Sequence, residues 1–405
     1  MDRTTRQKLG IKKWIDAKGK ATLVYGTGVG KTYTAIMAIQ LLLKSVPNAY
    51  VLIVVPTKVL KEQWITELIK HNIFTNCQVE IINSVINKKW NCDLLIIDEV
   101  HRAASEHFSQ IFNSVVYKMI LCLTATIKRL DSKENIIKKY APVVDTITLE
   151  EAEANGWISP VKNYLVLLDV DLTEYNKLNQ KFNAYFAYFN YDFNLAMRLV
   201  TNWQERTKWA RKMGVTPKDA TAMAFDWNRA LKARKDFIAN HPKKLEICQR
   251  ILNARKDKKC IVFAPTIKVC ELVGTDYILH SKCTKKKNSE TLTQFNNSSF
   301  GSISSSKALT EGVDVKGLSV GIIMNVNSSK ITAVQKRGRI CRFEPGKKAE
   351  MFTLVLKGTQ EYQWFQNSNV DSVITINEEQ LNKILNGEEI QTRERESLID
   401  TQFRF

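Results

Sequence analysis

Runs of apolar residues alternate with helix-length segments through the first 150 residues of the chain. A helix is expected over 32–43, and another is expected to end near Ile69. Five apolar runs have the length and composition of buried strands, near residues 21–25, 51–55, 79–82, 94–97 and 119–123. Continuous apolar strands separated by helices predict a mostly parallel sheet with helices on both faces. Ligands of such sheets bind at the carboxyl ends of the strands.

A second alternating block occupies residues 241–365, and a helical segment, 172–240, lies between the two blocks. Strands of the second block are expected near residues 259–263, 277–279, 301–303, 319–324 and 351–355. The remaining segment, 366–405, begins with a short helix over 377–385, because Asn377 and Gln380 form a capping-box pattern and Gly387 follows. The sequence therefore predicts two α/β domains, with residues 1–150 forming the first, and a helical insertion between them.

The composition places the chain among water-soluble globular proteins. Its 405 residues suit two domains, and 44% of them are hydrophobic and 25% charged. Every apolar run is shorter than the roughly 20 residues that span a bilayer, and the first residues do not resemble a secretory signal. The eight cysteines are scattered without a Cys-x-x-Cys pair, so neither a zinc site nor a disulfide framework is expected. We therefore expect a cytoplasmic protein with no membrane partner.

Positive charge is concentrated in the middle of the chain. The whole chain has a net charge of +19, and residues 177–258 contain 18 Lys and Arg against 7 Asp and Glu, a net charge of +11. This asymmetry favours a nucleic-acid partner. We assign that role to Arg206, Lys208, Arg211 and Lys212. Aromatic residues of the same segment could stack on unpaired bases, but the spacing of Tyr185, Phe186, Phe189 and Phe193 favours the buried face of a helical hairpin for most of them.

A glycine-rich loop lies between the first predicted strand and the helix that follows it. Backbone N–H groups of such a loop cradle phosphates, so ATP and Mg²⁺ are expected here. Lys31 is expected to reach the β and γ phosphates, and the Thr32 hydroxyl to ligate magnesium. The strict phosphate-loop pattern has a glycine where this chain has Tyr25. The residues of the loop are Gly26, Thr27, Gly28, Val29, Gly30, Lys31 and Thr32.

Two carboxylates follow the fourth predicted strand. Asp98 is expected to hold the metal, and Glu99 to orient or deprotonate the attacking water. His101 is not needed for hydrolysis, which indicates that hydrolysis is coupled to another process. Thr124 and Thr126 end the fifth strand, so their hydroxyls are expected at the same sheet edge.

A basic segment, 333–342, lies in the second block. If its helix faces a cleft between the domains, Arg339 and Arg342 would act as arginine fingers on a γ-phosphate. The spacing alone favours an ordinary basic helix surface.

In order along the chain, these motifs resemble those of superfamily 2 helicases of the DExH type, over roughly residues 6–365. The matching motifs are 28–32 (motif I), 56–60 with 63–64 (Ia), 98–101 (II), 124–126 (III), Phe263 (IV), 307–314 (V) and 335–342 (VI). Residues 151–160 are similar to the branch that contains the excision-repair helicase, type III restriction motor subunits and phage recombination helicases.

The resemblance implies two RecA-like domains with ATP between them. The second domain would contribute Gly312, Asp314, Gln335, Arg339 and Arg342 to the nucleotide site, and Gln7 would read the adenine. Nucleic acid would contact Pro56, Thr57, Lys58, Ser306 and Thr310. His101, Thr124 and Thr126 would couple the two sites.

The expected function is ATP-dependent movement on DNA, or unwinding of branched DNA, in replication, recombination or repair. The alternatives are an RNA helicase and a translocase that moves on duplex DNA without separating its strands. A binding module with a degenerate ATP site is a further alternative, which the complete set of motifs argues against.

Overall fold

The computed structural model describes residues 1–104, 108–125, 134–306, 315, 317–326, 347–366 and 373–390. The strands of the first domain are β1 (Lys20–Tyr25), β2 (Val51–Val55), β3 (Cys77–Ile81), β4 (Trp90–Ile97), β5 (Val115–Thr124) and β6 (Val143–Ile147). Its helices are α1 (Arg3–Asp16), α2 (Lys31–Ser45), α3 (Lys58–Lys70), α4 (Ile82–Val85), α5 (Ile111–Ser114), α6 (Glu134–Tyr140) and α7 (Leu149–Ala154). Short 3₁₀ helices lie at Phe74–Asn76, Val100–Ala104 and Phe108–Gln110.

The first sheet is parallel, with the strand order β3-β2-β4-β5-β1-β6. All five strands predicted for this half are confirmed. They were recognisable because both faces of the sheet are buried: Leu94 and Ile96 of β4 pack on one face, and Leu95 and Ile97 on the other. The edge strand β6 was not predicted. Its exposed and buried residues alternate, so it lacks a continuous apolar run.

The second sheet has the strand order β13-β7-β12-β11-β8-β10-β9, and its described pairs are also parallel. Its strands are β7 (Val161–Leu168), β8 (Lys259–Phe263), β9 (Tyr277–Leu279), β10 (Gly301–Ser305), β11 (Val320–Ile323), β12 (Ala349–Leu356) and β13 (Val373–Ile376). The helices in the described residues of this part of the chain are α8 (Thr173–Ala187), α9 (Phe193–Thr201), α10 (Trp203–Met213), α11 (Pro217–Ala239), α12 (Pro242–Ala254), α13 (Ile267–Leu272), α14 (Lys285–Asn297), α15 (Gln360–Gln366) and α16 (Glu378–Leu385).

Two strands of the second sheet lie outside the range 241–365 expected for the second domain. β7 precedes the helical insertion and pairs with β12 over eight residues, and β13 follows α15. The helical insertion α8–α11 therefore lies, in sequence, between β7 and β8 of the second sheet. The predicted α/β class, two mostly parallel sheets covered by helices, is confirmed.

The insertion has its own aromatic core. Phe189 and Trp227 are fully buried, and the rings of Phe186 and Phe193 lie 5.7 and 5.5 Å from that of Trp227. The predicted buried aromatic face of a helical hairpin is therefore confirmed for Phe189, and Tyr185 and Phe186 are partly buried against the same core. The prediction is wrong for Phe193, which is 45% exposed although its ring contacts Trp227. Trp203, at the start of α10, is 66% exposed.

The short helix α16 near the end of the described residues has the predicted cap. The capping box of α16 is confirmed, because the Asn377 side chain accepts from the Gln380 N–H and the Asn377 N–H donates to Gln380 Oε1. The described cysteines are unpaired. No helix in the described part of the chain is long and apolar enough to cross a membrane.

Candidate ATP-hydrolysis site

The order of the central strands brings the predicted motifs to one edge of the first sheet. β4, β5 and β1 are neighbours, and all three run parallel. The glycine loop follows β1, Asp98 follows β4, and Thr124 is the last residue of β5. Residues that are nearly 100 positions apart in sequence therefore lie together at the carboxyl ends of three adjacent strands.

The glycine loop adopts a backbone that only glycine tolerates easily. Gly28 and Gly30 have φ values of 89° and 97°, in the left-handed region. Gly30 caps the start of α2, so the N–H groups of the first helical turn are available to an anion at this edge. Lys31 begins α2, and its Nζ donates to the Tyr25 carbonyl over 3.3 Å. The loop has the features expected of a phosphate cradle.

Helix α1 supports the loop from the side of its carbonyl groups. Gln7 is 1% exposed, and its Nε2 donates to the carbonyls of Val29 and Gly30 over 2.8 and 3.3 Å. Arg3, one turn earlier, donates to the carbonyls of Gly28 and Val29 over 2.9 and 2.8 Å. Gln7 therefore positions the phosphate loop, and its expected contact with adenine stays a prediction. The contact of Arg3 with the loop was not predicted from the sequence. Its position one helical turn before Gln7 is the sequence feature that could have indicated it.

A buried carboxylate fixes α1 in place. Asp145 of β6 accepts hydrogen bonds from Arg6 Nη1 and Lys13 Nζ, both over 2.6 Å, and from the Tyr25 hydroxyl over 2.7 Å. Burial raises the pKa of Asp145, but these three donors lower it below its usual value. Tyr25, which replaces the first glycine of the strict loop pattern, thus has a structural role. Gly10 faces it closely: a Cβ at Gly10 would lie 1.8 Å from the Tyr25 hydroxyl oxygen.

Asp98, which is buried, and Glu99, which is partly buried, lie beside Lys31. Asp98 Oδ1 accepts from the Glu99 N–H and Oδ2 from Trp64 Nε1, both over 2.9 Å. Burial, and then the charge of Glu99, raises the pKa of Asp98, although Lys31 and Trp64 act in the opposite direction. Burial also raises the pKa of Glu99, but Lys31 and His101 together lower it below its usual value. Glu99 is therefore ionised at neutral pH.

Glu99 has a strained backbone. Its φ is +50°, a conformation that residues other than glycine rarely adopt. Such strain costs on the order of 1–3 kcal/mol and is found preferentially at functional sites. Here it turns the chain sharply after β4, so that Asp98 and Glu99 can both face Lys31.

His101 connects Glu99 to the end of β5. His101 Nδ1 lies 3.3 Å from Glu99 Oε2 and 3.1 Å from Thr124 Oγ1. His101 and Thr124 are both buried. The structure thus brings together two of the three residues predicted to couple the sites. Thr126, the third, lies outside the described residues.

The oxygen donors of this site fit magnesium. Mg²⁺ prefers a few protein oxygens, usually carboxylates, and retains water ligands. Each Asp98 oxygen has two acceptor positions, and the hydrogen bonds from Trp64 and Glu99 use one on each oxygen. Thr32 lies in the first turn of α2, beside Lys31. A carboxylate and a hydroxyl next to the phosphate loop match the expected ligand set.

The residues of the second domain that were predicted to contact the nucleotide lie outside the described residues: Gly312, Asp314, Gln335, Arg339 and Arg342. The same holds for Thr310, which was predicted to contact nucleic acid. Ser306, predicted to contact nucleic acid, directly follows β10 and is buried.

The candidate nucleic-acid contacts of the first domain lie at the start of α3. Thr57 caps this helix by accepting from the Leu60 N–H over 3.3 Å. Lys58 is exposed, and Pro56 is partly exposed. These residues follow β2, so they lie at the same sheet edge as Asp98.

The four basic residues chosen in the insertion differ in their surroundings. Lys208, Arg211 and Lys212 of α10 are exposed. Arg206 Nη1 instead donates to the Leu199 carbonyl near the end of α9, and its guanidinium lies 5.4 Å from the centre of the Phe225 ring. Arg206 therefore has a structural role in the insertion, and its contact with nucleic acid stays a prediction.

Comparison with known protein families gives matches to both domains. The family described as type III restriction enzyme, res subunit, matches residues 3–91 and 82–129. The helicase conserved C-terminal domain family matches residues 243–344. The second match includes the segment in which Gln335, Arg339 and Arg342 were predicted.

Similar proteins include a DNA translocase and a putative RNA helicase. The chain is 26% identical to the DNA 3′-5′ translocase XPB2 of Sulfurisphaera tokodaii over 380 residues, which cover 88% of this chain and 82% of that protein. It is 23% identical to a putative ATP-dependent RNA helicase of Methanocaldococcus jannaschii over 459 residues, which cover 87% of this chain and 58% of that protein.

Solved structures share the fold of both domains. S. cerevisiae Dbp5 bound to RNA and ADP–BeF3 matches with a TM-score of 0.59 and 12% identity, and the match covers 94% of this chain and 92% of that one. The ATP-dependent Type ISP restriction-modification enzyme LlaBIII bound to DNA also matches with a TM-score of 0.59, at 14% identity, over 92% of this chain and 31% of that one. The domains therefore have the predicted RecA-like fold. On its ordered motifs, its two family matches and its relative of similar length, the chain belongs to the superfamily 2 helicases and is an ATP-hydrolysing enzyme.

Proposed function

We propose that this chain is a DNA translocase or helicase that couples Mg²⁺-dependent ATP hydrolysis to movement on DNA. We propose branched DNA as its substrate. The observation that carries the proposal is the position of His101, which contacts both the water-activating carboxylate and the end of a neighbouring strand. A simple ATPase does not need this connection.

In the proposed reaction, each described residue has a distinct task. The loop N–H groups and Lys31 bind the phosphates of ATP. Thr32 and Asp98 would hold Mg²⁺, which when bound would neutralise charge on the phosphate oxygens. Glu99 accepts a proton from the attacking water, because its carboxyl is ionised at neutral pH. From the second domain, we propose that Gln335, Arg339 and Arg342 stabilise the charge of the transferred phosphoryl group.

Coupling follows from the contacts of His101. A change at Glu99 on hydrolysis alters its contact with His101, and His101 in turn contacts Thr124 at the end of β5. Thr126 lies two residues further along the chain. Loss of the γ-phosphate also removes contacts that hold the two domains together, so the domain arrangement changes with each ATP.

DNA is proposed as the track because the S. tokodaii relative of similar length is named a DNA translocase. The basic insertion supports a polyanionic track of either kind. RNA is the second candidate, since the relative from M. jannaschii is named a putative RNA helicase. Roles in replication, recombination or repair follow only if DNA is the track.

The test is ATPase stimulation by four polymers: single-stranded, duplex and forked DNA, and single-stranded RNA of matched length. We expect DNA to stimulate hydrolysis more than RNA, and forked DNA to stimulate it most. Stimulation by RNA and by none of the DNA substrates would show that RNA is the track. Equal hydrolysis with and without every polymer would contradict the proposal.

The insertion is tested by neutralising Lys208, Arg211 and Lys212 together to Gln. Log affinity falls as log salt concentration rises, and each phosphate contact on a single strand contributes roughly 0.7 to the steepness of this fall. Loss of three contacts should therefore make the dependence shallower by about 2. The control is a matched triple change of Lys44, Lys88 and Lys89 to Gln. These exposed residues lie at the end of α2 and before β4, away from the edge that carries Asp98. An equal effect of both triple variants would show that the change in affinity comes from the lower net charge and not from contacts of α10 with nucleic acid.

A further inference from the structure

Trp64 is a buried side chain that has no role in the proposed function described above. It lies in the second turn of α3, is 1% exposed, and directs its indole N–H at Asp98. The distance from Nε1 to Asp98 Oδ2 is 2.9 Å. Tryptophan can only donate through this atom, so the interaction has one geometry and holds one particular oxygen of the carboxylate.

The same helix begins at the candidate nucleic-acid edge. α3 starts at Lys58, after the capping residue Thr57, and Trp64 follows six residues after Lys58. At 1.5 Å per residue, the two side chains are attached about 9 Å apart along the helix axis. Trp64 and Leu68 are the buried residues of α3. Because Trp64 and the start of α3 lie on one short helix, a displacement at the start of the helix would also move the indole.

We propose that Trp64 is a positioning residue for the metal-binding carboxylate of Asp98, and that it transmits the binding of nucleic acid at the start of α3 to the ATP-hydrolysis site. The proposal rests on the proposed function and identifies a second connection within it. His101 connects to Glu99, whereas Trp64 connects to the other carboxylate of the pair.

The physical basis is the orientation of a buried carboxylate. The Glu99 N–H fixes Oδ1 of Asp98, and the Trp64 indole fixes Oδ2, so together they define the plane of the carboxylate. Partners that hold a metal ligand in this way typically affect metal affinity by about 10–100-fold when they are removed. Because coupling between two sites is reciprocal, nucleic acid that improves magnesium binding must itself bind more tightly when magnesium is present.

A matched control exists in the same domain. Trp14 of α1 is also buried, and its Nε1 donates over 2.9 Å to a backbone carbonyl, that of Ile120. Trp64→Phe and Trp14→Phe each remove one buried indole hydrogen bond and retain an aromatic ring. Only the first removes a donor to the metal-binding carboxylate.

The experiment measures the Mg²⁺ dependence of both variants in two ways. The first is binding of a fluorescent ADP analogue across a Mg²⁺ titration, and the second is ATPase activity across the same titration, each with and without a single-stranded DNA oligonucleotide. For Trp64→Phe, we expect half-saturation at about tenfold higher Mg²⁺, with kcat at saturating Mg²⁺ close to that of the wild type. DNA should lower the half-saturating Mg²⁺ concentration of the wild type and of Trp14→Phe, but not that of Trp64→Phe.

Equal Mg²⁺ dependence of the two variants would overturn the proposed positioning role, and an unchanged DNA effect in Trp64→Phe would overturn the transmission. If Trp64→Phe does not fold, wild-type protein labelled with 5-fluorotryptophan provides the answer by ¹⁹F NMR. Mg²⁺·ADP and the oligonucleotide should each shift the Trp64 resonance and leave that of Trp14 in place; an unmoved Trp64 resonance overturns the proposal. If DNA fails to stimulate wild-type ATPase, the proposed function fails, while the Mg²⁺ titration still decides whether Trp64 positions Asp98.

Discussion

Replacing Lys244 by Met should destabilise the second domain strongly. Lys244 of α12 and Glu361 of α15 are both completely buried, and Lys244 Nζ lies 2.8 and 2.7 Å from the two carboxylate oxygens. Glu361 also accepts from the N–H groups of Val326 and Leu356, over 2.7 and 3.4 Å. Its carboxylate thus connects α12, the strand end of β12 and the residues that follow β11.

The magnitude follows from the burial of both charges. Removing one partner of a buried ion pair leaves the other charge uncompensated and typically costs about 3–5 kcal/mol. Burial already lowers the pKa of Lys244 and raises that of Glu361, so a lone Glu361 would take up a proton on folding. For a domain of this size, such a loss lowers the melting temperature by roughly 10 °C.

The assay is thermal and urea unfolding of three variants. Lys243→Met is the matched control: this neighbouring lysine pairs with Glu246 and Glu378 at the surface, so its loss should cost no more than about 1 kcal/mol. The double variant Lys244→Met with Glu361→Gln should recover part of the loss, because a neutral amide no longer buries a charge. Equal stability of the two single variants would show that the buried pair contributes no more to stability than the surface pairs of Lys243.

Three further predictions concern the site. His101→Ala should retain ATPase activity and lose nucleic-acid-dependent work, measured as the ratio of strand displacement to ATP consumed. Gly10→Ala should push α1 away from Tyr25 and withdraw Gln7 from the phosphate loop, so KM for ATP should rise about tenfold, equivalent to the roughly 1.4 kcal/mol of one net hydrogen bond. Asp145→Asn should reduce stability at neutral pH. Because the folded pKa of Asp145 lies below the unfolded value of about 3.9, its contribution is present above that pH and is lost as the pH falls through the folded value. Denaturant unfolding at pH 7 and pH 3 should therefore show the gap between wild type and variant narrowing in acid.

Each of these has a contrary outcome. Equal loss of hydrolysis and strand displacement in His101→Ala would make His101 a packing residue. An unchanged KM in Gly10→Ala would show that the position of α1 does not affect ATP binding by the phosphate loop. A gap between wild type and Asp145→Asn that stays constant from pH 7 to pH 3 would mean that the Asp145 carboxylate is not stabilised by its donors.

The sequence predicted the central strands and the phosphate loop because their signals are local. Buried parallel strands such as β2 and β4 are continuous apolar runs, and a glycine loop before a lysine has few other uses. β7 was missed as part of the second sheet for a different reason. Its partner β12 lies almost 190 residues further along the chain, and strand pairing at that separation leaves no local pattern.

The residues that support the site were harder to predict than those that line it. Arg3, Trp64 and Asp145 act through tertiary contacts with backbone carbonyls, a carboxylate and a neighbouring helix. Their residue types are ordinary for a helix face or an edge strand. Gln7 and Trp64 were both noted within motifs, but only the structure shows which atoms they hold. The arginines of the second domain stay predictions, because their segment lies outside the described residues.

The central claim is that ATP hydrolysis at Lys31, Asp98 and Glu99 drives movement along DNA. The most direct measurement is ATP-dependent displacement of streptavidin from the biotinylated end of single-stranded or duplex DNA, with Lys31→Ala as the inactive control. We expect displacement from one end by the wild type, requiring both ATP and Mg²⁺, and none by the variant. DNA-stimulated ATP hydrolysis by the wild type without displacement from either end of either DNA would contradict it.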